Sequence, residues 1–284
     1  KYRYDLNVMP GKNAENEEMI ERVIKSILWV VGGFKIYLGG NDELVKAMQQ
    51  VFSYNGGRKF DVEFMERVYK QKFEVVACNY DEVPASVEAS IPAGGHLEGN
   101  RIGFDAGGSD RKVSAVVNGE VIHSEEVVWF PKINEDPEYH YQGILDSFRR
   151  AAEKMPSVDA IGVSSAGIYI DNEVRVASLF IKVPQDKFDE KVVDMYIRAA
   201  KEYGDVPLTV ANDGDVTALA GSMSLKSGQV LGIAMGTSEA AGYVNKDGNL
   251  NGWLSELAFV PVDYNKGAMV DEWSGDYGCG VKYF

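Results

Sequence analysis

The sequence predicts an α/β protein in which a layered domain follows a smaller N-terminal α/β region. Along most of the 284 residues, strand-like apolar runs alternate with helix-like stretches, which is the pattern of a layered α/β domain. A stretch rich in Pro, Gly and small residues, 81–100, separates the first hundred residues from the rest. Asn118-Gly119 stands between alternating apolar residues, a strong signal for a β-hairpin. We therefore predict two domains, residues 1–98 and 99–284.

In the N-terminal region, helices and strands are indicated by apolar spacing and by start signals. Met19, Val23, Ile27 and Val30 recur at the spacing of one helix face. A second helix has good start signals, because an Asp-Glu pair precedes its apolar residues. The predicted elements are, in chain order, helix 15–31, strand 34–41, helix 42–54, helix 61–71 and strand 73–80.

From residue 101 onward the pattern becomes a meander of strands, followed by alternating helices and strands. Turns are predicted at residues 107–110 and at Asn118-Gly119. The predicted elements are strands within 101–108 and 112–130, helix 139–155, strand 158–168, helix 189–204, strand 207–213, helix 215–225 and strand 229–237. This succession favours a layered domain over an all-β or all-helical one.

The charge and the cysteine content exclude several classes of function. The chain has 29 Lys and Arg against 43 Asp and Glu, a formal net charge of −14. Such a chain repels nucleic-acid phosphates and anionic membranes unless it carries a local basic patch. Its two cysteines, Cys78 and Cys279, form no disulfide framework. Because such cysteine usage is typical of a reducing compartment, we expect a cytoplasmic protein. The longest apolar run near the N-terminus is too short to cross a bilayer.

The first stretch with chemical potential is GFDAGGSDRKVSAV, residues 103–116. The pair Gly107-Gly108 lets a ligand approach the backbone, whose N–H groups in such a turn form an anion-binding concavity. Asp105, at a strand end, is a suitable carboxylate for a hydrated Mg²⁺. The alternative interpretation is an ordinary hairpin with a glycine turn and an incidental carboxylate.

The second stretch is TVANDGDVTALAG, residues 209–221, where a strand ends and a helix follows. A carboxylate fixed there, Asp213, can accept a proton from a substrate hydroxyl while the neighbouring amide of Asn212 orients the substrate. The alternative is an Asx turn that leads into a helix cap, for which Asp215 is the expected residue.

Two further stretches follow in the chain. Residues 229–244 predict a strand, a Gly-Thr-Ser turn and a second strand, which together would form another phosphate-binding hairpin at Gly236 and Thr237. Glu256 is a lone acid among apolar neighbours, and its alternative interpretation is a surface-facing strand or loop residue.

In their order and spacing, these four stretches resemble the ROK family (repressors, open reading frames and kinases) of sugar kinases, within the actin/hexokinase/Hsp70 superfamily. The resemblance spans about residues 101–280 and implies a ribonuclease H-like (actin-like ATPase) layered domain. It implies ATP and Mg²⁺ as cofactors, with the metal held by Asp105 through water. The implied nucleotide-binding residues are Asp105, Gly107, Gly108, Ser109, Gly236 and Thr237. The implied general base is Asp213, which also binds the sugar together with Asn212 and Glu256.

The chain also departs from the family pattern. In the second phosphate motif, Glu239 stands where glycines are usual, and its charge would repel a phosphate. Phe259 occupies the position of a family histidine, and Cys279 alone remains of four zinc-binding cysteines, so no structural zinc is expected. The sequence stops where the family continues with a helical segment. We therefore expect a C-terminally truncated core with an incomplete second lobe.

Three functions are compatible with this resemblance. The first is ATP-dependent phosphorylation of a hexose or hexose derivative. The alternative is a non-catalytic, sugar-binding regulatory protein, which Glu239 and Phe259 favour. A DNA-binding repressor ranks last, because residues 1–100 contain no basic recognition helix. The expected partners are a small-molecule sugar and a nucleotide; a homodimer is left open, and neither nucleic acid nor membrane is expected.

Overall fold

The computed structural model describes residues 1–88, 90–235 and 239–283, except for the side chain of Glu239. The chain divides into two compact units, one of residues 1–91, 235–241 and 250–284, the other of residues 92–234 and 242–249. The domain division at residues 98 and 99 stays a prediction, and the compact units separate close to it, near residue 91. No helix in the described ranges combines the length and apolar character needed to cross a membrane.

The first unit contains all five elements predicted for the N-terminal region. They are α1 (Asn13–Val31), β1 (Lys35–Gly39), α2 (Asp42–Val51), α3 (Lys59–Tyr69) and β2 (Glu74–Cys78). β1 and β2 pair in parallel. The side chain of Asn41 caps α2 by accepting hydrogen bonds from the backbone N–H groups of Glu43 and Leu44. The apolar core of this unit contains Trp29, Met48 and Met65, which are fully buried.

A network of buried charges joins α1 and α3 to the last segment of this unit. The Asp276 carboxylate accepts hydrogen bonds from Arg22 at 2.8 and 2.9 Å, from Lys25 at 2.5 Å and from Arg58 at 3.0 Å. All four side chains are almost inaccessible to solvent. Burial disfavours the charged form of Asp276, but these hydrogen bonds outweigh it and hold the pKa of Asp276 far below its ordinary value.

Cys279, the one cysteine that the sequence matches to a zinc-binding motif, borders this network. Its thiol is buried and free, 3.5 Å from the Lys25 ammonium and 3.8 Å from the Asp276 carboxylate. Burial raises the pKa of the Cys279 thiol. In this structure, ionic hydrogen bonds through Asp276 therefore hold the segment that carries Cys279.

The second unit is built on a five-stranded mixed sheet in the order β5-β4-β3-β6-β9. Its strands are β3 (Asn100–Ala106), β4 (Asp110–Val117), β5 (Glu120–Val128), β6 (Ala160–Ser165) and β9 (Leu208–Asn212). β4 pairs antiparallel with β3 and β5, whereas β3, β6 and β9 run parallel. The hairpin predicted at Asn118-Gly119 is confirmed, with φ of 49° and 83° at its two turn residues.

Helices cover the sheet of this unit: α4 (Pro137–Ala152), α5 (Gln185–Lys191), α6 (Met195–Lys201) and α7 (Asp213–Leu225). Phe104, Phe148 and Tyr196 lie in the buried core cluster of the unit. The single helix predicted over 189–204 is wrong, because residues 192–194 interrupt it. There, the Val193 carbonyl accepts a hydrogen bond from Val174 N–H and is unavailable to a continuous helix.

Two further pairs of strands follow in the chain. Strands β7 (Ile168–Ile170) and β8 (Glu173–Val176) were not predicted, although the turn between them, Asp171-Asn172, has the residue types that tolerate positive φ. Strands β10 (Val230–Met235) and β11 (Glu239–Val244) form a two-stranded sheet. Gly232 and Gly242 approach α7 so closely that a Cβ at either would collide with helix backbone.

Candidate functional site

Three parallel strands bring polar residues to one edge of the sheet. Asp105 of β3 is in register with Ser164 of β6, and Ser165 is in register with Asn212 of β9. Since ligands of open α/β sheets bind outside the carboxyl ends of the strands, this edge is the candidate site. Asp213 follows directly as the first residue of α7.

The turn between β3 and β4 presents backbone N–H groups. The indole N–H of Trp129 donates to the Gly107 carbonyl at 2.8 Å, and its backbone N–H donates to the Ser109 carbonyl at 3.1 Å. The N–H groups of Gly107, Gly108 and Ser109 have no hydrogen-bond acceptor within the described parts of the chain. A Cβ at Gly107 would stand 2.7 Å from the Asp110 carbonyl oxygen. A turn that is held in place by Trp129, and whose N–H groups have no acceptor among the described residues, is suited to bind a phosphate.

Asp213 is a partly buried carboxylate with an uncommitted oxygen. Its Oδ1 is inaccessible and has no hydrogen-bond partner in the described structure. Burial raises the pKa of Asp213, the nearby charge of Asp105 adds to the increase, and the backbone N–H groups of Asp213 and Gly214 oppose it. A raised pKa makes this carboxylate a stronger proton acceptor than an exposed aspartate.

Asn212 is the cap of α7. Its Oδ1 accepts a hydrogen bond from Gly214 N–H, and its Nδ2 donates one to the Gly167 carbonyl, both at 2.8 Å. The expectation that Asp215 caps the helix is wrong, because α7 begins two residues earlier, at Asp213. The Asx interpretation of this stretch is confirmed, and the bonds that it requires hold the amide in a fixed orientation.

Asp215, whose side chain also has limited exposure, is the most perturbed carboxyl group near the site. Burial raises the pKa of Asp215 to about 7, and the charge of Asp213 contributes. Near neutral pH, Asp215 is therefore partly protonated and partly ionised, two residues from the candidate base Asp213.

Replacing Asp215 by Asn is expected to stabilise the protein at pH 8. When an acid has a higher pKa in the folded than in the unfolded state, the folded protein loses stability as pH rises from the unfolded-state pKa through the folded-state pKa. The shift from 3.8 to about 7 corresponds to a gain on the order of 2–4 kcal/mol for Asp215→Asn above pH 7. Melting temperatures measured between pH 4 and 8 check this, with the difference from wild type vanishing near pH 4. An equal difference at both ends of the range would contradict it.

Sequence reasoning missed two phenols beside these carboxylates. Tyr196 of α6 is fully buried, and its hydroxyl lacks a hydrogen-bond partner among the described residues. Burial raises the pKa of Tyr196 to about 12, with a contribution from the charge of Asp105. Burial likewise raises the pKa of Tyr169 of β7 well above 10, and the charge of Asp213 adds to it. Both phenols therefore stay neutral, and the Tyr169 hydroxyl donates a hydrogen bond to the Ala166 carbonyl at 3.3 Å. Their apolar neighbours in the sequence predict only packing in the core.

The remaining predicted site residues lie elsewhere. Gly236 and Thr237 fall outside the described residues. Glu256 belongs to the first unit, where its backbone N–H donates to the Trp29 carbonyl at 3.0 Å. Within the described ranges, no three His, Cys, Asp or Glu side chains are grouped to hold a metal. A metal at Asp105 would therefore take its remaining ligands from a substrate or from water.

Comparisons with known proteins were made for sequence families, curated proteins and solved structures. No family model matches the chain, and no curated protein matches it. The chain is similar in structure to the ROK hexokinase of Thermus thermophilus, at 17% identity and a TM-score of 0.46, over 63% of this chain and 58% of that one. It is also similar to the inorganic polyphosphate/ATP-glucomannokinase of Arthrobacter sp. strain KM, at 21% identity and a TM-score of 0.46, over 59% and 66%.

A third similar structure is a ROK family transcriptional regulator, described as a homologue of the E. coli MLC protein. It has 18% identity and a TM-score of 0.45, over 64% of this chain and 46% of that one. The chain thus spans about half to two-thirds of the length of these three proteins. These three solved structures are ROK family proteins and sugar kinases.

Proposed function

We propose that the protein is an ATP-dependent sugar kinase that phosphorylates a hexose or a hexose derivative. The observation that carries the proposal is the strand register, which brings Asp105, the open Gly107–Ser109 turn and Asp213 to one edge of the sheet. Phosphoryl transfer to an alcohol needs a metal-binding carboxylate, phosphate-binding donors and a proton acceptor. In the proposal, Asp105 is the metal-binding carboxylate, the N–H groups of the Gly107–Ser109 turn are the phosphate-binding donors, and Asp213 is the proton acceptor.

In this proposal, Asp213 accepts the proton of the sugar hydroxyl while the hydroxyl oxygen attacks the γ-phosphorus of ATP in line. The bond from that phosphorus to the β,γ-bridging oxygen breaks, and ADP leaves with the electron pair. Asn212, held by its two hydrogen bonds, orients the sugar. The N–H groups of the turn hold phosphate oxygens. Mg²⁺ at Asp105 would neutralise charge on the transferred phosphoryl group. Catalysis would then come chiefly from positioning and electrostatic stabilisation.

The strand order supports a ribonuclease H-like, actin-type core for this kinase. Three antiparallel strands continue into two parallel ones, and the candidate groups lie at the edge where the parallel strands end. We further propose that this core lies within residues 99–284 and that the protein is cytoplasmic.

The test is ADP release from Mg·ATP across a panel of hexoses and N-acetylhexosamines. Release that depends on one class of sugar is the expected result and names the substrate class. Thermal unfolding with each sugar and with Mg·ATP, measured in parallel, reports binding alone. If no sugar elicits ADP release, and sugars raise the melting temperature while Mg·ATP does not, the protein is a non-catalytic sugar binder and the kinase proposal is wrong.

A further inference from the structure

The Lys132 ammonium lies over the glycine turn. Lys132 belongs to a short 3₁₀ turn, Pro131–Ile133, that follows β5. A Cβ built on Gly108 would stand 2.8 Å from Lys132 Cε and 3.0 Å from Nζ. The end of the lysine side chain thus occupies the space directly beside Gly108.

This cation has no counter-ion of its own. In the described parts of the chain, Lys132 Nζ makes neither a hydrogen bond nor an ion pair. The nearest carboxylate of the turn, Asp110, is already held by the Lys112 ammonium at 2.9 Å and by the Ser109 hydroxyl at 2.9 Å. Lys112 also stands opposite Asp105 in the β3–β4 register. Among the described residues, the positive charge of Lys132 is therefore not paired with a carboxylate and is available to a ligand.

The backbone just before Lys132 is held by hydrogen bonds. Trp129 is hydrogen-bonded to both ends of the glycine turn, as described above. The buried Pro131 has its carbonyl oxygen 3.0 Å from Nε2 of His140, which is fully buried. Because these anchors precede Lys132 directly, its side chain starts from a defined place beside the turn. A preorganised donor loses less entropy on binding than a mobile surface lysine.

We infer that Lys132 is a binding residue for the phosphate chain of the phosphoryl donor. Its ammonium and the free N–H groups of Gly107, Gly108 and Ser109 would hold phosphate oxygens together. The inference rests on the proposed function of this turn. The chemistry recognised is a chain of phosphates, which either a nucleoside triphosphate or an inorganic polyphosphate presents.

The test compares wild type with Lys132→Met, Lys132→Arg and Lys154→Met by titration calorimetry of the whole chain. Lys154 is an exposed lysine of the same unit and serves as the control for net charge. The probes are Mg·ATP, magnesium tripolyphosphate and the hexose that gives the largest thermal shift. Lys132→Met is expected to weaken binding of a phosphate probe about tenfold or more. Lys132→Arg should retain most of the affinity, and Lys154→Met and hexose binding should be unchanged.

Each outcome bears on the inference. An equal loss for both phosphate probes supports a shared phosphate-chain site, and a loss for Mg·ATP alone supports a site for nucleoside triphosphates. Unchanged phosphate binding by Lys132→Met, an equal loss in Lys154→Met, or no phosphate binding by wild type would overturn it. The kinase proposal is decided separately by sugar-dependent ADP release. Should that fail while phosphate binding still depends on Lys132, the lysine site stands without the kinase.

Discussion

Asp213→Asn is expected to lower kcat for sugar phosphorylation by about 10²–10⁴-fold. The amide keeps the size of the carboxylate and its place at the start of α7, but it cannot accept the hydroxyl proton. Because the change also removes a partly buried charge, the folded chain should be at least as stable as wild type at neutral pH. Steady-state ADP release, with melting temperature as the check on folding, measures both.

Asp215→Asn is the matched control for this variant. It makes the same chemical change two residues along the same helix, and we expect it to retain sugar-dependent turnover. In wild type, kcat/KM should fall as pH falls through the raised pKa of Asp213, and this limb of the pH profile should disappear in Asp213→Asn. A wild-type rate in Asp213→Asn would assign the proton acceptor to another group.

Asp276→Ala is expected to destabilise the protein by about 3–5 kcal/mol at pH 7. The side chain is 4% exposed and accepts hydrogen bonds from Arg22, Lys25 and Arg58. Without it, three buried cations are left with the carboxylates of Glu21 and Asp61 alone, and their desolvation is poorly compensated. Chemical denaturation measures the free energy of unfolding.

Glu272→Gln is the control for a charge change in the same C-terminal segment. Glu272 pairs with Lys282 at the surface, with 77% of its side chain exposed, so little change in stability is expected. The pKa of Asp276 is lowered on folding, so its contribution is complete above its ordinary value of 3.8 and is lost as pH falls below it. The gap between wild type and Asp276→Ala should therefore narrow in acid. Equal effects of the two substitutions at pH 7 would show that the network adds nothing to stability.

Much of the secondary structure could be predicted because its signals are local. Asn118-Gly119 gives a hairpin because both residues tolerate the positive φ that its turn requires. The helix that was predicted whole is broken because Val193 bonds to Val174, a residue of a hairpin that was not predicted. Apolar periodicity cannot show where a carbonyl turns towards another element.

The candidate site likewise contains residues that the sequence could identify and one, Lys132, that it could not. Glycine and carboxylate positions at strand ends identified Asp105, the Gly107–Ser109 turn and Asp213 as residues of interest. Lys132 was missed because its nearness to Gly108 depends on how the segment after β5 returns to the β3–β4 turn. No spacing in the sequence encodes that contact.

The sequence by itself determined where strands end, which turns need glycine and which carboxylates stand at those ends, because backbone dihedral preferences and apolar periodicity act over a few residues. The tertiary structure alone decided that Asp213 lies near Asp105 and that the pKa of Asp213 is raised. It also decided that Asp276 pairs with cations of α1 and with Arg58, the residue before α3. These properties arise from burial and from the pairing of segments distant in the chain. Both depend on parallel register and packing, which bring together groups that no local pattern connects.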